Sequence, residues 1–319
     1  MATAAAKALW AVGPGECEVR ECPPVVAEAG LVRVKALWSG ISRGTEALVV
    51  NGKVPPSEYE RMRGPHMAGA FPFPVKYGYC SVGVTEGGET VVCLHPHQSD
   101  YVVEASAINR LPPGVPARRG VLGPNMETAV NIVWDAKISL GDRVCVVGAG
   151  VVGLLVAYLA ARIPGTTVFA KDPVDRRDIY DAFGVRPLVG GGANDEADFD
   201  VVIHCSGNPR GLPDCLALAG DEASVVDASW YGTSVCEIPL GGPFHSRRLT
   251  IKSSQVGHLP PERRPRWTFA RRMSLALTLL ADETLDLLLE DPPLDFHAPD
   301  FPSQYATALR TTKAASLLC

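Results

Sequence analysis

Short β-branched runs separated by Gly and Pro fill the first 120 residues. The strand-like runs are LVRVKAL (31–37), YCSVGVTE (79–86), ETVVCLH (89–95) and DYVVEASA (100–107). Many short strands with such turns predict a compact, barrel-like β domain. The segment 53–75 is rich in Pro, Gly and Met and predicts a long loop or lid.

The pattern changes near Gly120, where strongly apolar strands begin to alternate with helical spacing. The predicted strands are 142–150, 166–172, 199–207, 222–230 and 249–254, and the predicted helices are 125–136, 151–163 and 268–281. Strands rich in Val and Ile that alternate with helices predict a parallel sheet covered on both faces, an α/β architecture.

A glycine-rich turn joins the first of these strands to the helix over 151–163. The residues GAGVVG (148–153) fit the G-x-G-x-x-G pattern. Gly148 permits a tight turn, Gly150 lets the backbone approach a pyrophosphate, and Gly153 allows close packing of the helix. The N–H groups at Val151 and Val152 would face the phosphates at the positive end of the helix. The sequence therefore predicts a dinucleotide site.

Asp172 lies 19 positions after Gly153, at the end of the next predicted strand. A carboxylate there accepts hydrogen bonds from ribose hydroxyls and repels a 2′-phosphate, which favours NAD over NADP. Lys171, Arg176 and Arg177 are close in sequence and could hold such a phosphate instead.

A second candidate cofactor contact is Ser206-Gly207, at the end of the predicted strand 199–207. Ligands of open parallel sheets bind outside the carboxyl ends of the strands. A simple strand-to-loop turn is the alternative interpretation.

Composition narrows the possible partners. The 319 residues carry 30 Lys and Arg against 35 Asp and Glu, a formal net charge of −5. A mildly acidic chain has no electrostatic attraction to nucleic acid or anionic membranes, and we expect neither as a partner. Nine cysteines without Cys-x-x-Cys spacing, and no secretory signal pattern, favour a reduced, cytoplasmic protein.

Several segments together resemble the medium-chain dehydrogenase/reductase superfamily, of the zinc alcohol dehydrogenase type. They are VRVKALWSGISRGTE, FPVKYGYCSVG, PHQSDYVVEASAINRLPPGV, GDRVCVVGAGVVGLL and FDVVIHCSGNP. The resemblance implies a GroES-like β-rich catalytic domain over 1–120, completed by 256–319, and a Rossmann doubly wound parallel sheet over 121–255. It also implies an NAD(P) cofactor, alcohol/ketone redox chemistry, and a homodimer that pairs late strands near 225–255.

The zinc ligands of that family are replaced in this chain. Ser42 stands at the cysteine ligand position, Tyr79 at the histidine ligand position and Cys80 at its acidic neighbour. The four-cysteine lobe of the structural zinc is absent. Because hydroxyls are poor zinc ligands, we expect no zinc. Replacement ligands, the alternative, would come from Cys80, His95, His97 or Glu46.

Without zinc, a side chain must handle the proton that accompanies hydride transfer. The resemblance places Tyr79 beside the substrate, where a phenol could donate to a carbonyl oxygen with help from Lys76 or Arg43. Alternatively, Tyr79 only fills the space left by zinc.

The resemblance also places Thr45 and Glu46 near the nicotinamide ribose, and Glu127 in the region of the third zinc ligand. Either of the first two could relay a proton, and Glu127 could orient a hydroxyl or act as a base. Glu46 could instead pair with Arg43.

The sequence predicts a zinc-independent NAD(P)-dependent oxidoreductase that acts on an alcohol or ketone. One alternative is a quinone or enone reductase of the same superfamily. Another is a non-catalytic dinucleotide-binding scaffold that has lost its chemistry together with its zinc.

Overall fold

A computed structural model describes residues 5–23, 25–26, 29–189, 198–310 and 316–318. The strands are β1 Lys7–Gly13, β2 Glu16–Glu21, β3 Leu31–Ile41, β4 Ala68–Gly69, β5 Val75–Lys76, β6 Ser81–Thr85, β7 Thr90–Cys93, β8 Asp100–Glu104, β9 Asn109–Arg110, β10 Arg143–Val147, β11 Thr167–Lys171, β12 Arg186–Pro187, β13 Phe199–His204, β14 Ala219–Asp227, β15 Thr250–Ser253 and β16 Ser316–Leu318. The α-helices are α1 Arg43–Val50, α2 Gly123–Ala136, α3 Val151–Ala160, α4 Arg177–Phe183, α5 Gly211–Leu218, α6 Phe269–Leu279 and α7 Phe301–Ala308.

The chain forms two compact units, of which the first contains residues 1–124 and 273–319 and the second contains 125–272. The division predicted from the sequence, 1–120 with 256–319 and 121–255, stays a prediction, because compactness does not establish independently folding domains. None of the helices in the described segments is long and apolar enough to cross a membrane.

The first unit is built from antiparallel strands. One sheet has the order β2-β1-β5-β4, and the other has the order β16-β3-β6-β7-β9, with β8 also paired to β3. The alternating segment LVRVKAL forms the start of β3. The side chain of Val34 in this segment is buried in a cluster with Val91, Cys93, Tyr101 and Val103. The predicted β-rich domain is confirmed in this unit.

The second unit contains a parallel sheet with strand order β12-β11-β10-β13-β14-β15. Numbered from β10, this is the order 3-2-1-4-5-6 of a doubly wound dinucleotide-binding fold. The strand order reverses between β10 and β13, and ligands of such sheets bind outside the carboxyl ends of the strands at that point. The predicted α/β fold class, a GroES-like domain plus a Rossmann sheet, is confirmed.

Candidate active site

The turn between β10 and α3 requires glycine at two positions. Gly148 has φ +101°, and a Cβ built there would lie 2.5 Å from the backbone of Ser206. A Cβ built on Gly153 would lie 1.9 Å from the carbonyl oxygen of Gly148. The first turn of α3 therefore packs directly on the glycine loop, as close as two backbones can approach.

The amino end of α3 faces the same loop. Gly150 has an extended conformation, with φ −71° and ψ −178°, and Val151 begins the helix. The first N–H groups of a helix have no partner within it and carry the positive end of its dipole. Val151 and Val152 thus supply backbone donors of the kind that bind a phosphate.

Asp172 follows β11 and its carboxylate lies against the glycine loop. One oxygen accepts a hydrogen bond from the N–H of Ala149 at 2.7 Å, and the other accepts one from the N–H of Val174 at 2.9 Å. These two backbone donors fix the carboxylate at the position where the motif places a ribose-binding acid.

Lys171 and Arg177, basic residues near Asp172, form ion pairs with other carboxylates. Arg177 contacts Asp175 at 2.7 Å, and both side chains are exposed. Lys171 contacts Asp214 at 3.1 Å. A cofactor phosphate would have to compete with these carboxylates for the two cations.

Ser206 and Gly207 follow β13 on the carboxyl side of the sheet. Ser206 is exposed, and Gly207 has φ +68° and donates its N–H to Ser229 Oγ at 3.1 Å. The side chain of His204, which the sequence reasoning missed, lies directly beneath Ser206 and contacts it. A histidine at the end of the apolar run FDVVIH was the signal for it.

In the first unit, Tyr79 lies against Ser42 and Thr45. Its hydroxyl donates a hydrogen bond to Ser42 Oγ and lies 3.5 Å from Thr45 Oγ1. Burial raises the pKa of Tyr79 to about 12, although its hydrogen bonds oppose the shift. The phenol is therefore protonated at neutral pH and can act as a proton donor.

Glu46 lies at the centre of a buried polar network. Its carboxylate accepts hydrogen bonds from the N–H of Ser42 at 2.7 Å and from the hydroxyl of Tyr305 at 2.6 Å, and it contacts His97 Nε2 at 2.8 Å. Ser39 Oγ contacts the other ring nitrogen of His97 at 2.6 Å. The sequence reasoning found Glu46 but missed Ser39 and Tyr305, and it considered His97 only as a metal ligand or packing residue.

The pKa of Glu46 lies below its usual value. Burial alone would raise this pKa, but the contact with His97 and the hydrogen bonds from Tyr305 and Ser42 outweigh it. The carboxylate is thus a buried anion held by its neighbours.

Glu127 lies in α2 and contacts Arg272, with Arg272 Nε 3.1 Å from its carboxylate. Both side chains are buried. Arg272 also donates to the carbonyl oxygen of Val256 at 2.6 Å. Burial raises the pKa of Glu127, while the guanidinium opposes that shift.

The residues at the family's zinc positions do not fit zinc. Ser42 and Tyr79 offer hydroxyls that are hydrogen-bonded to each other, and the Cys80 thiol donates a hydrogen bond to the carbonyl oxygen of Val121 at 3.1 Å. Zinc prefers thiolate, imidazole and carboxylate ligands. Across the described segments, no group of three or more His, Cys, Asp or Glu side chains is arranged to hold a metal ion.

Comparisons with characterised proteins place these features in context. No family model matches the chain. It is 28% identical over 148 residues to 2-dehydro-3-deoxy-L-galactonate 5-dehydrogenase of Pseudoalteromonas atlantica, a match that covers 43% of each chain. It is 26% identical over 252 residues to D-guloside 3-dehydrogenase of Escherichia coli, covering 71% of this chain and 70% of that enzyme.

Solved structures match the chain over nearly its whole length. The 2R,3R-butanediol dehydrogenase of Bacillus subtilis has a TM-score of 0.75 at 17% identity, covering 98% of this chain and 99% of the other. Acetophenone reductase of Geotrichum candidum, solved with NAD, has a TM-score of 0.78 at 13% identity, covering 100% and 98%. The chain thus has the fold of these dehydrogenases and reductases, which agrees with its resemblance to the medium-chain dehydrogenase/reductase superfamily.

Proposed function

We propose that the chain is an NAD(P)-dependent oxidoreductase that transfers a hydride between nicotinamide and an alcohol or ketone. The observation that carries the proposal is the glycine loop, where Gly148 and Gly153 leave no space for a Cβ and α3 directs its amino end toward the loop. Such a loop binds a pyrophosphate. Relatives with dehydrogenase activity and the NAD-bound structural neighbour support the same conclusion.

NAD is the preferred cofactor in this proposal. The carboxylate of Asp172, held by the N–H groups of Ala149 and Val174, would accept hydrogen bonds from the ribose hydroxyls and repel a 2′-phosphate. Arg177, Ser206 and Gly207 complete the proposed contacts with the dinucleotide. Tighter binding of NADPH than of NADH would contradict this preference.

Tyr79 is the proposed proton donor when a ketone is reduced. A nicotinamide cofactor held at the glycine loop Gly148–Gly153 would supply the hydride. Tyr79 would give its phenolic proton to the carbonyl oxygen, which would replace Ser42 Oγ as the acceptor of that hydrogen, while Thr45 Oγ1 lies 3.5 Å from the phenol oxygen. Glu46 positions this segment through the N–H of Ser42, and Glu127 is proposed to orient a substrate hydroxyl.

The reaction is proposed to proceed without zinc, because Ser42 and Tyr79, at two of the family's zinc positions, offer hydroxyls that are hydrogen-bonded to each other, and hydroxyls are poor zinc ligands. The protein needs to be purified, analysed for metal and assayed with and without a chelator. Turnover that a chelator leaves unchanged is expected. Turnover lost with the chelator and restored by zinc would refute zinc independence.

The named substrates of the two curated relatives indicate the first class to test, which is secondary hydroxyls of sugars and sugar acids. A second candidate is reduction of quinones or enones, which the high pKa of Tyr79 favours. A weak acid activates a carbonyl poorly, and an activated double bond needs less carbonyl activation.

A panel of sugar alcohols, simple ketones and enones, assayed by the absorbance of NADH, tests both candidates. Oxidation of sugar hydroxyls supports the leading proposal, and turnover confined to enones supports the second. NADH binding without turnover of any compound would support a non-catalytic scaffold.

A further inference from the structure

A buried histidine lies at the carboxyl end of β13, in the second unit. His204 is 0% exposed and is the polar last residue of the largely apolar strand β13. Its Nε2 lies 2.7 Å from Ser206 Oγ, and its Nδ1 lies 3.1 Å from Asp227 Oδ1 at the end of β14. These three side chains form a continuous hydrogen-bond chain from the half-buried carboxylate of Asp227 to the exposed hydroxyl of Ser206.

The charge of Asp227 determines which ring nitrogen of His204 carries the hydrogen in this hydrogen-bond chain. Burial alone would raise its pKa, but hydrogen bonds from His204, Tyr231 and the N–H of Ser229 outweigh burial and hold the pKa below its usual value. Tyr231 donates to the carboxylate at 2.7 Å and the N–H of Ser229 at 3.0 Å. Because an ionised carboxylate only accepts hydrogen bonds, Nδ1 of His204 carries a hydrogen and Nε2 is left to face Ser206.

The exposed end of the chain borders the glycine loop. A Cβ on Gly148 would lie 2.5 Å from both the Cα and the N of Ser206, so the backbones of the two residues are nearly in contact. The N–H of Asn208 donates to Ser206 Oγ at 3.1 Å, and the carbonyl oxygen of Asn208 lies 3.4 Å from Ser206 Oγ. The backbone of Ser206 therefore borders the dinucleotide site proposed above.

The protonation state of His204 reverses the direction of the Ser206 hydrogen bond. With a neutral ring, Ser206 donates its hydrogen to Nε2 and presents only lone pairs outward. With a protonated ring, Nε2–H donates to Ser206 Oγ, and the hydroxyl hydrogen turns to another acceptor, either the carbonyl oxygen of Asn208 at 3.4 Å or a phosphate oxygen of a bound ligand. A positive charge on the His204 ring also offsets the negative charge of Asp227, which would otherwise repel a phosphate.

We propose that Ser206, His204 and Asp227 couple dinucleotide binding to proton uptake, so that the protonated chain donates a hydrogen bond from Ser206 to a phosphate oxygen of the ligand. The inference rests on the proposed function, because it needs a dinucleotide on the glycine loop. It assigns His204 as a positioning residue for the cofactor, acting through Ser206.

Three other titratable side chains near His204 in the described part of the second unit, those of Tyr231, Cys215 and Cys205, are neutral. Tyr231 lies 2.9 Å from Nδ1, and hydrogen bonding to Asp227 and burial keep its pKa far above the usual value, so it is neutral. Helix α5 packs against β13 and places Gly211 beside the ring, where a Cβ would lie 2.4 Å from Nε2. Cys215 of α5 is buried and Cys205 is half-buried, and loss of solvent raises the pKa of both thiols, so both stay neutral.

Isothermal calorimetry with ADP-ribose tests the inference, because this probe contains the pyrophosphate and lacks nicotinamide. Titrations in buffers of different ionisation enthalpy report the number of protons taken up. We expect net uptake of up to one proton, with affinity falling as pH rises by at most about tenfold per pH unit. The titrations are carried out from about pH 6 to about pH 8.

Two variants make the test specific. His204→Gln keeps a polar side chain but cannot take up a proton, and we expect binding to become independent of pH. Ser206→Ala changes an exposed position and keeps the histidine, so it should fold normally and weaken binding more at the low end of the pH range than at the high end.

Binding of ADP-ribose to the unmodified protein without proton exchange, and with the same affinity across the range, would overturn the inference and leave the proposed function intact. Failure of both ADP-ribose and NADH to bind at any pH would instead overturn the proposed function.

Discussion

At the scale of single residues, the glycine loop leaves no space for a side chain at position 153. The Cβ of an alanine there would lie 1.9 Å from the carbonyl oxygen of Gly148, which is backbone and cannot rotate away. Helix α3 must therefore move away from the loop, and its first N–H groups would no longer point toward the phosphates.

We expect Gly153→Ala to abolish detectable NADH binding, measured by the fluorescence of the bound nicotinamide. Gly241→Ala is the matched control in the same unit, because a Cβ at Gly241 meets nothing within 4 Å. NADH binding by Gly153→Ala as tight as in the unmodified protein would place the dinucleotide elsewhere.

Tyr79 is the residue on which the proposed proton transfer depends. Replacing it with Phe removes the hydroxyl that contacts Ser42 and Thr45 and keeps the ring. We expect kcat for ketone reduction to fall by about 10² or more, as for the loss of a general acid, while NADH affinity is unchanged. Equal kcat in the variant and the unmodified enzyme would remove Tyr79 from the mechanism.

At the scale of elements, the periodicity of the sequence predicted those parts of the fold that depend on local pattern. The strands that became β3, β10, β11 and β13 and the helices α2 and α3 were all recognisable from their apolar spacing. The two-residue strand β12 was missed, because two residues carry no periodicity.

The polar networks could not be read from the sequence for a different reason. Glu46 and Tyr305 are 259 positions apart, and Glu127 and Arg272 are 145 positions apart. Local pattern identifies a polar residue in an apolar setting, but only the tertiary fold selects its partner. The glycine loop was predictable because its residues are consecutive and each has a steric reason to be glycine.

The network around Glu46 joins helices α1 and α7 to the loop that carries His97, all within the first unit. Because the pKa of Glu46 is lowered in the folded state, its stabilisation is fully present above the pKa of an unfolded glutamate, about 4.3, and is lost as pH falls through the folded value. Acidification should therefore weaken this network and lower the free energy of unfolding.

We expect Glu46→Gln to lower the free energy of unfolding by about 1–3 kcal/mol at neutral pH, as for breaking a buried charged hydrogen bond. The difference from the unmodified protein should shrink as the pH falls below about 4. Urea unfolding at several pH values measures it, with the exposed Glu60→Gln as control. A difference that grows on acidification would contradict the sign of the pKa shift.

At the scale of the whole molecule, the parallel sheet ends in a strand that is paired on one side only. Strand β15 is the last in the strand order of the second unit, so one side of its backbone has no neighbour among the described strands. Unpaired edges of sheets pair readily with another chain. The family resemblance implies a dimer through this part of the sequence, and β15 is the strand that a partner would extend.

We therefore expect light scattering to give twice the chain mass of 33.9 kDa. Hydrogen exchange should show amides protected on both sides of β15, whereas β12 at the opposite edge should exchange quickly because only β11 pairs with it among the described strands. Diluting the protein until it dissociates should expose the amides of β15 in step with the loss of mass. A monomer with slow exchange in β15, or a dimer with fast exchange there, would show that subunits associate through another surface or not at all.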